Sequence, residues 1–428
     1  MEKHAEFIDG VNVYQDISDL PDEIEHSVIS VSRNRLIKTI TACLEKKFYT
    51  IHVFSAGTGE FDEKGYEIEA ELYDLFKNNE NSLLVGPNCM GIYSPRGRFS
   101  YSDRFSEQAG NFALVSQSGD LTSRIVESLN NRGVYLSFAA SVGNSISLRT
   151  SDLIDFYDKD ENTDVILSYM EGFSQFRKSE REGRIFFESL KNIKKPLLLL
   201  KGGISEFGKR AASSHTGSLA SQNEIWNCIF KQTNTIPIES YEELINTAVL
   251  FRFCSHCEPK HNSLLLITYS GGSSVLGVDE IARLNAGVDI PAIQEPANSK
   301  MKELIRVGSI TNPLDLPDLR DDEIRYELFK LAISEEYISG AVQLSTGPRF
   351  RGRDMDQEEI DKFYEMLVRY KETANKLGKP FMIYVPGGRG DPEFRKKLIE
   401  LELPSFSTFA RAAKAFSNLY RYKNPKHP

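Results

Sequence analysis

Short apolar runs alternate with helical periodicity along the first hundred residues. SVISVS (27–32), FYTIHVFSAG (48–57) and SLLVGPNCMGI (82–92) have the pattern of short buried strands. Between them, RLIKTITACLEKK (35–47) and EIEAELYDLFKN (67–78) place apolar residues at the spacing of an amphipathic helix. Strand, helix, strand, helix, strand in this order predicts a parallel sheet.

The same alternation returns twice further along the chain. NFALVSQSGD (111–120) predicts a strand entering a Ser/Gly loop, followed by the helix LTSRIVESLNNRG, which ends at Gly133. The next helix, SDLIDFYDKD, has Ser151 as its expected N-cap. NSLLLITYSGGSSVLGVDEIARLNAG (262–287) repeats the strand, loop, helix order. The remaining strand patterns are VYLSFAASVGN, DVILSYMEG, PLLLLKGG, SGAVQLST and KPFMIYVPGG.

The pattern therefore predicts three α/β blocks, at residues 1–105, 106–258 and 259–428. A chain of 428 residues is also too long for a single core. In open α/β sheets, ligands bind at the carboxyl ends of the strands. The loops SQSG, SVGN, MEG, KGG, YSGG and PGG all fall at those ends.

Composition narrows the functional class. A formal net charge of −9 argues against a nucleic-acid partner, which would require a basic face. No apolar run approaches the roughly 20 residues that span a bilayer, and MEKHAEFIDG lacks the apolar core of a secretory signal. We therefore expect a cytoplasmic protein with no membrane partner. Five scattered cysteines predict no disulfide framework.

Cys254 and Cys257 have C-x-x-C spacing, with His256 and His261 nearby. A structural zinc site normally needs four ligands, usually from two such pairs, and the sequence has no second pair. The spacing favours two thiols at a domain junction over a metal site, so no metal ligand is predicted.

Two Ser/Gly loops could hold an anion. SQSGD (116–120) and YSGGSS (269–274) each follow a strand and open a helix, so the first free N–H groups of the helix converge on one point. The alternative is a turn that only caps a helix. Two such loops, each opening its block, favour anion binding. Neither matches the phosphate-binding G-x-x-x-x-G-K-[ST] motif, so direct nucleotide binding is not indicated.

SSHTGSLAS (213–221) places His215 among small residues that leave room around its ring. A histidine can act as a nucleophile toward phosphoryl groups when its other nitrogen is held by an acceptor. Glu171, at the end of the strand VILSYM, is the best-placed carboxylate for this role. The alternatives are a surface or core histidine and a solvated strand-end acid.

These motifs resemble those of one enzyme family. The chain is similar to the nucleoside-diphosphate-forming acyl-CoA synthetases, which are relatives of succinyl-CoA synthetase. The matching segments occur in family order: GPNCMGI (86–92), ALVSQSGDL (113–121), SVGN (141–144), DLIDFYDKDENTDVILSYMEG (152–172), KPLLLLKGG (195–203), AASSHTGSLA (211–220), YSGGSSVLGVDE (269–280) and NPLDL (312–316).

The resemblance implies a CoA-binding Rossmann-like domain followed by two flavodoxin-like domains, as in an α subunit. It implies the reversible reaction acyl-CoA + ADP + phosphate = acid + CoA + ATP through an acyl phosphate. His215 would become the phosphohistidine and Glu171 would orient it. The phosphate would be held by one loop in each flavodoxin-like domain: Ser116, Gln117, Ser118 and Gly119 in the first, and Gly271 and Gly272 in the second. CoA would contact Asn88, Cys89 and Asn144.

Two departures from the family shape the expected partners. The chain is expected to begin after the first βαβ unit of the CoA domain, and SAGTGEF (55–61) replaces the family's SAGF-x-E. No ATP-grasp domain is present, so ADP or ATP with Mg²⁺ is expected on an ATP-grasp β subunit in a hetero-oligomer. The alternative is a non-catalytic CoA- or acyl-CoA-binding or regulatory homologue. The expected substrates are CoA and a small carboxylic acid.

Overall fold

A computed structural model describes residues 7–208, 223–316, 321–350, 353–387 and 392–425. The chain divides into two compact units. The first comprises Met1–Asn130 and Tyr135–Pro237, and the second comprises Asn131–Val134 and Ile238–Pro428. The first unit holds one parallel sheet and one mostly parallel sheet, and the second unit holds one parallel sheet. The predicted boundaries near residues 105 and 258 stay predictions.

The N-terminal sheet of the first unit has three parallel strands in the order β3-β4-β5. Its core is apolar because the helices beside it turn their buried stripes, including Ile40 and Leu72, toward strand residues such as Ile51. A two-residue hairpin, β1 with β2, precedes this sheet. The elements are β1 Phe7–Ile8, β2 Val11–Asn12, β3 His26–Ile29, α1 Leu36–Glu45, β4 Thr50–Val53, α2 Glu63–Phe76 and β5 Leu83–Val85.

The second sheet has six strands in the order β11-β10-β9-β7-β8-β6. Strands β7 to β10 pair in parallel, whereas β6 runs antiparallel to β8. All five residues of β7 and of β10 are buried, as in strands covered on both faces. The elements are β6 Ile92–Tyr93, β7 Phe112–Ser116, α3 Gly119–Asn130, β8 Leu136–Ser141, α4 Thr150–Lys159, β9 Val165–Met170, α5 Glu182–Asn192, β10 Leu197–Lys201, α6 Asn223–Gln232 and β11 Ile236–Ile238.

The expected N-cap at Ser151 is wrong. Helix α4 begins at Thr150 with Arg149 as its cap residue, so Ser151 lies within the first turn and is 2% exposed. The carboxylate of Asp152 accepts the Arg149 backbone N–H over 2.9 Å. The acid at the third helical position therefore takes over the capping that the serine was expected to provide.

The second unit contains a five-stranded parallel sheet in the order β13-β12-β14-β17-β18. Helix α7 is buried on almost every side and packs against α13, where Asn418 Nδ2 donates to Glu243 Oε1 over 2.9 Å. The elements are α7 Tyr241–Cys254, β12 Leu265–Thr268, α8 Gly271–Arg283, α9 Ala297–Leu304, β13 Leu314–Asp315, α10 Asp322–Ile333, β14 Ala341–Leu344, β15 Arg349–Phe350, β16 Arg353–Asp354, α11 Gln357–Lys376, β17 Phe381–Tyr384, α12 Pro392–Glu400, β18 Ser405–Phe406 and α13 Phe409–Lys423.

Within the described ranges, every helix is too short or too polar to cross a membrane. The predicted alternation of strands and helices is otherwise present in the structure. The Ser/Gly loops at 116–120 and 269–274 each lie between a parallel strand and a helix, as the sequence predicts.

Candidate active site

Glu171 follows β9 directly and is only 8% exposed. Its Oε1 accepts a hydrogen bond from the Tyr169 hydroxyl over 3.0 Å. Its Oε2 is buried and has no hydrogen-bond partner among the described residues. A buried carboxylate oxygen without a donor is costly, so this atom marks a position where a donor is expected to bind.

The side chain of Gln117 joins the loop after β7 to Glu171. Its Oε1 accepts the backbone N–H groups of Glu171 and Gly172 over 2.5 and 3.1 Å, and its Nε2 donates to Gly172 O over 2.8 Å. The loop after β7 and the end of β9 are neighbours because these strands pair in parallel. The Gln117 carboxamide therefore positions Glu171 through its oxygen and one of its two Nε2 hydrogens.

The first turn of α3 has the geometry expected of an anion site. Ser118 N donates to Ser116 Oγ over 3.1 Å, which folds the loop back onto its strand. Ser118 Oγ accepts Leu121 N over 3.3 Å and so serves as a helix cap. Gly119 begins the helix, and its N–H has no acceptor within the helix. A β-carbon at Gly119 would lie 2.3 Å from Met90 Cγ, so the segment 86–92 contacts the start of α3.

Lys201 holds Glu171 from the other side, although the sequence did not indicate this role. Its Nζ donates to Glu171 O over 2.8 Å and also to Gly202 O. The ammonium lies 5.3 Å from the centre of the Trp226 ring, a cation–π distance. Burial lowers the pKa of Lys201 to about 8, although the charge of Glu171 opposes this shift.

In the second unit, Gly271 and Gly272 open α8 and are exposed. Asp315, the last residue of β13, approaches this helix start, and its Oδ2 is 3.3 Å from the position of a β-carbon on Gly271. Burial raises the pKa of Asp315. The predicted second anion loop thus has a carboxyl group beside it, which the motif alone did not show.

His215 lies outside the described residues, which end at 208 and resume at 223. Its assignment as the nucleophile stays a prediction. The same holds for the functions of the other predicted site residues, although the structure gives their local geometry.

The structure brings the three predicted CoA-contacting residues together. Asn88 Nδ2 lies 3.4 Å from Asn144 Oδ1, and Asn144 N donates to Pro87 O over 3.0 Å. Cys89 is 3% exposed, and burial raises the pKa of its thiol to about 12. The thiol is therefore a core group, and the pair of asparagines joins the two sheets of the first unit.

Asn144 is also engaged by acidic partners that the sequence reading missed. Its Nδ2 donates to Thr58 Oγ1 over 3.1 Å, to Glu60 Oε2 over 2.8 Å and to Glu69 Oε1. Burial opposes the ionisation of Glu60, but its hydrogen bonds outweigh this effect and lower its pKa. Burial raises the pKa of Glu69. A signal existed for Glu69, because it interrupts the apolar stripe of α2 at helical spacing.

Cys254 and Cys257 are both buried as free thiols. Cys257 Sγ lies 3.8 Å from Asn375 Oδ1, and His256 is exposed. Within the described part of the chain, no three His, Cys, Asp or Glu side chains are grouped so that they could hold a metal ion.

The fold and this strand-end site define an α/β protein of the succinyl-CoA ligase type. A family model, the succinyl-CoA ligase like flavodoxin domain, matches residues 109–251. The α subunit of ADP-forming acetate–CoA ligase I from Pyrococcus furiosus is 30% identical over 419 residues, covering 97% of this chain and 86% of that protein. The chain belongs to the family of nucleoside-diphosphate-forming acyl-CoA synthetases that contains this subunit.

Further similarities agree with the family. The α subunit of ADP-forming acetate–CoA ligase II from the same organism is 28% identical over 423 residues, covering 98% of this chain and 88% of that protein. A solved structure of the dinucleotide forming acetyl-coenzyme A synthetase 1 from Ca. Korarchaeum cryptofilum, in complex with phosphate and ADP, matches with a TM-score of 0.78. It is 26% identical, covering 98% of this chain and 87% of that chain. The family and α/β fold predicted from the motifs are confirmed.

Proposed function

We propose that this chain is the α-type subunit of an ADP-forming acyl-CoA synthetase, with the reaction acyl-CoA + ADP + phosphate = acid + CoA + ATP. One structural observation carries the proposal: the buried Oε2 of Glu171, at the sheet edge where α3 begins, has no partner among the described residues. An imidazole N–H is a donor suited to that oxygen. Family membership supplies the reaction class.

The first step is an acyl transfer. A phosphate oxygen attacks the thioester carbonyl, the new C–O bond forms and the C–S bond breaks, so CoA leaves as a thiolate that takes up a proton. The N–H group of Gly119, at the start of α3, would hold the phosphate, because a helix start stabilises negative charge. Asn88 and Asn144 are among the residues that would contact CoA, and their side chains lie 3.4 Å apart.

The second step transfers the phosphoryl group to His215. The unprotonated imidazole nitrogen attacks phosphorus, and the P–O bond to the acyl group breaks to release the carboxylate. Glu171 accepts the N–H of the other ring nitrogen through Oε2, so the ring has the reactive tautomer and a fixed direction. This carboxylate also stabilises the positive charge that develops on the ring.

The third step needs a partner. A β-phosphate oxygen of ADP attacks phosphorus, the N–P bond breaks, and His215 regains its neutral form. An ATP-grasp subunit would hold the nucleotide with Mg²⁺, which offsets the negative charge of the phosphates. The active protein is then a hetero-oligomer.

Phosphohistidine formation tests this function. The chain is incubated with γ-labelled ATP and an ATP-grasp partner, and we expect label that is lost in acid but stable in base. His215→Ala should abolish the label, and Glu171→Gln should slow labelling at least tenfold, as expected for loss of a charged hydrogen bond of about 1.5–3 kcal/mol. His256→Ala, at an exposed histidine, is the matched control and should label normally. Equal labelling of His215→Ala and the parent would refute the assignment.

A further inference from the structure

Tyr169 and Glu171 stand two residues apart, at the end of one strand. Alternate strand residues share a face, so both side chains point the same way. The Tyr169 hydroxyl donates to Glu171 Oε1 over 3.0 Å. This spacing is the sequence signal that could have found Tyr169.

The backbone of Glu171 is fixed on both sides. Gln117 Oε1 accepts its N–H over 2.5 Å, and Lys201 Nζ donates to its carbonyl oxygen over 2.8 Å. The peptide therefore cannot rotate without breaking buried hydrogen bonds. Only the side-chain torsions of Glu171 are left to set, and the Tyr169 hydroxyl sets them by holding one carboxylate oxygen.

The surroundings keep Tyr169 a donor. Burial, and then the charge of Glu171, raise the pKa of its phenol well above the usual range. Among the described residues, the charged group that faces Glu171 from β10 is Lys201, whose ammonium contacts the backbone carbonyl rather than the carboxylate. Gln117, at the end of β7, is neutral. The hydroxyl thus remains protonated across the range in which the enzyme would work.

Gly202 leaves room for the hydroxyl. A β-carbon at this position would lie 2.8 Å from the Tyr169 oxygen and 3.2 Å from the ring carbon that bears it. Gly202 N donates to Met170 O over 2.9 Å, so the two strands cannot separate to make space. The glycine of the KGG sequence is required here by the position of Tyr169.

We propose that Tyr169 is a positioning residue for the phosphoryl-transfer site: its hydroxyl binds one oxygen of Glu171 and so directs the other oxygen at the imidazole that receives the phosphoryl group. The proposal rests on the function proposed above. It adds a requirement for a hydroxyl donor to Oε1 of Glu171, besides the imidazole N–H proposed for Oε2, and it assigns a role to Gly202.

The test is Tyr169→Phe, with Tyr157→Phe as the matched control. Tyr157 is also buried in the first unit, and its hydroxyl donates to Leu114 O over 3.2 Å, away from Glu171. The full chain is labelled with acetyl [³²P]phosphate at a series of concentrations, and the initial rate is measured at each concentration. Tyr169→Phe should lower the maximal labelling rate about tenfold, the loss expected for a hydrogen bond to a charged group. The concentration that gives half of the maximal rate should stay at the parent value, because the helix start proposed to hold the phosphate is unchanged.

A second variant keeps the inference testable if Tyr169→Phe fails to fold. Gly202→Ala retains the hydroxyl but displaces it, and should lower the maximal rate without changing the concentration that gives half of that rate. Tyr157→Phe should keep both parent values. A parent-like maximal rate in Tyr169→Phe or Gly202→Ala would overturn the inference and leave the proposed function intact. An unlabelled parent, with acetyl phosphate and with ATP plus an ATP-grasp partner, would overturn both.

Discussion

Asn144 Nδ2 donates to Glu60 Oε2 over 2.8 Å, and this contact joins the loop after β8 to the loop after β4. The same amide nitrogen reaches Glu69, so two carboxyl groups depend on one donor. The Thr58 hydroxyl lies 2.9 Å from an oxygen of each acid. Asn144 is thus the centre of a polar cluster that connects the two sheets of the first unit.

Asn144→Ala should lower the free energy of unfolding by about 3 kcal/mol, because it leaves two partly or fully buried carboxyl groups without their amide donor. Urea denaturation followed by circular dichroism measures the change. The control is Asn162→Ala, whose amide serves an exposed turn by donating to Asp160 over 3.1 Å. We expect less than about 0.5 kcal/mol there. Equal effects at both positions would show that the cluster contributes no particular stability.

The side-chain contacts of Asn144 could not be predicted from the sequence. The motif SVGN correctly identified a strand-end loop, and the resemblance assigned its asparagine to CoA. The structure gives Asn144 four polar contacts within the protein, to Asn88, Thr58, Glu60 and Glu69. A weakened CoA affinity in Asn144→Ala would therefore have to be separated from loss of stability before it is assigned to a lost CoA contact.

The five cysteines give a direct test of burial. Cys228 is exposed, whereas the other four are buried: Cys43, Cys89, Cys254 and Cys257. A thiol reagent such as DTNB should modify one thiol rapidly in the native protein and the other four only after unfolding. Cys228→Ser should remove the rapid phase and leave the slow one unchanged.

The rate at which Cys89 is modified tests the packing beside the predicted CoA contacts. Its high pKa keeps it a thiol at neutral pH, and the thiolate is the reactive form. Rapid modification of Cys89, located by mass spectrometry of the digested protein, would contradict the packing of the segment 86–92. Slow modification would agree with its role as a core residue beside the predicted CoA contacts.

The strand-end arrangement was predictable in outline and not in its contacts. Parallel alternation predicted that Glu171 and the Ser116 loop would share one edge of the sheet, because all parallel strands end there. The pairing of β7 with β9 is a property of strand order, which the local pattern does not determine. The hydrogen bonds that the Glu171 and Gly172 N–H groups donate to Gln117 Oε1 depend on that order.

The surroundings of His26 and His52 predict that the free energy of unfolding decreases in acid. Their ring centres are 6.3 Å apart, and the nitrogens His26 Nε2 and His52 Nδ1 are buried without partners among the described residues. Burial lowers the pKa of both imidazoles below the usual 6.5. Below pH 6.5 the unfolded chain binds protons that the folded chain does not, so the stabilising contribution is full above that pH and decreases as the pH falls.

Each histidine can contribute at most about 1.4 kcal/mol per pH unit in that window. His52→Gln retains a side-chain donor for Cys89 O, which His52 Nε2 contacts over 3.3 Å, but removes one titrating group. Urea denaturation of the variant at pH 7.5 and 5.5 should show a smaller loss of stability on acidification than the parent shows. Parallel losses in the two proteins would mean that His52 does not titrate between the folded and unfolded states in this range.

The glycines of the two predicted anion loops should respond differently to alanine. At Gly119 a β-carbon would lie 2.3 Å from Met90 Cγ, so Gly119→Ala has to displace a packed side chain. At Gly272 the nearest atom would be Ser270 Oγ at 3.8 Å, so the methyl group fits. Alanine is a better helix former than glycine by up to about 1 kcal/mol. Gly119→Ala should therefore lower the thermal midpoint, whereas Gly272→Ala should leave it unchanged or raise it.

The variant Gly272→Ala also distinguishes an effect on folding from an effect on anion binding at the start of α8. If the exposed N–H groups at Gly271 and Gly272 hold phosphate, the methyl group of Gly272→Ala narrows the approach to them. Calorimetric titration with inorganic phosphate should then show weaker binding in a protein that is at least as stable as the parent. Ser299→Ala in α9, whose backbone N–H donates to Glu295 over 3.1 Å, is a surface control outside both loops. Parent-like phosphate affinity in Gly272→Ala would argue against an anion site at the start of α8. That outcome would agree with the position of the Asp315 carboxyl group, which lies beside the same helix start.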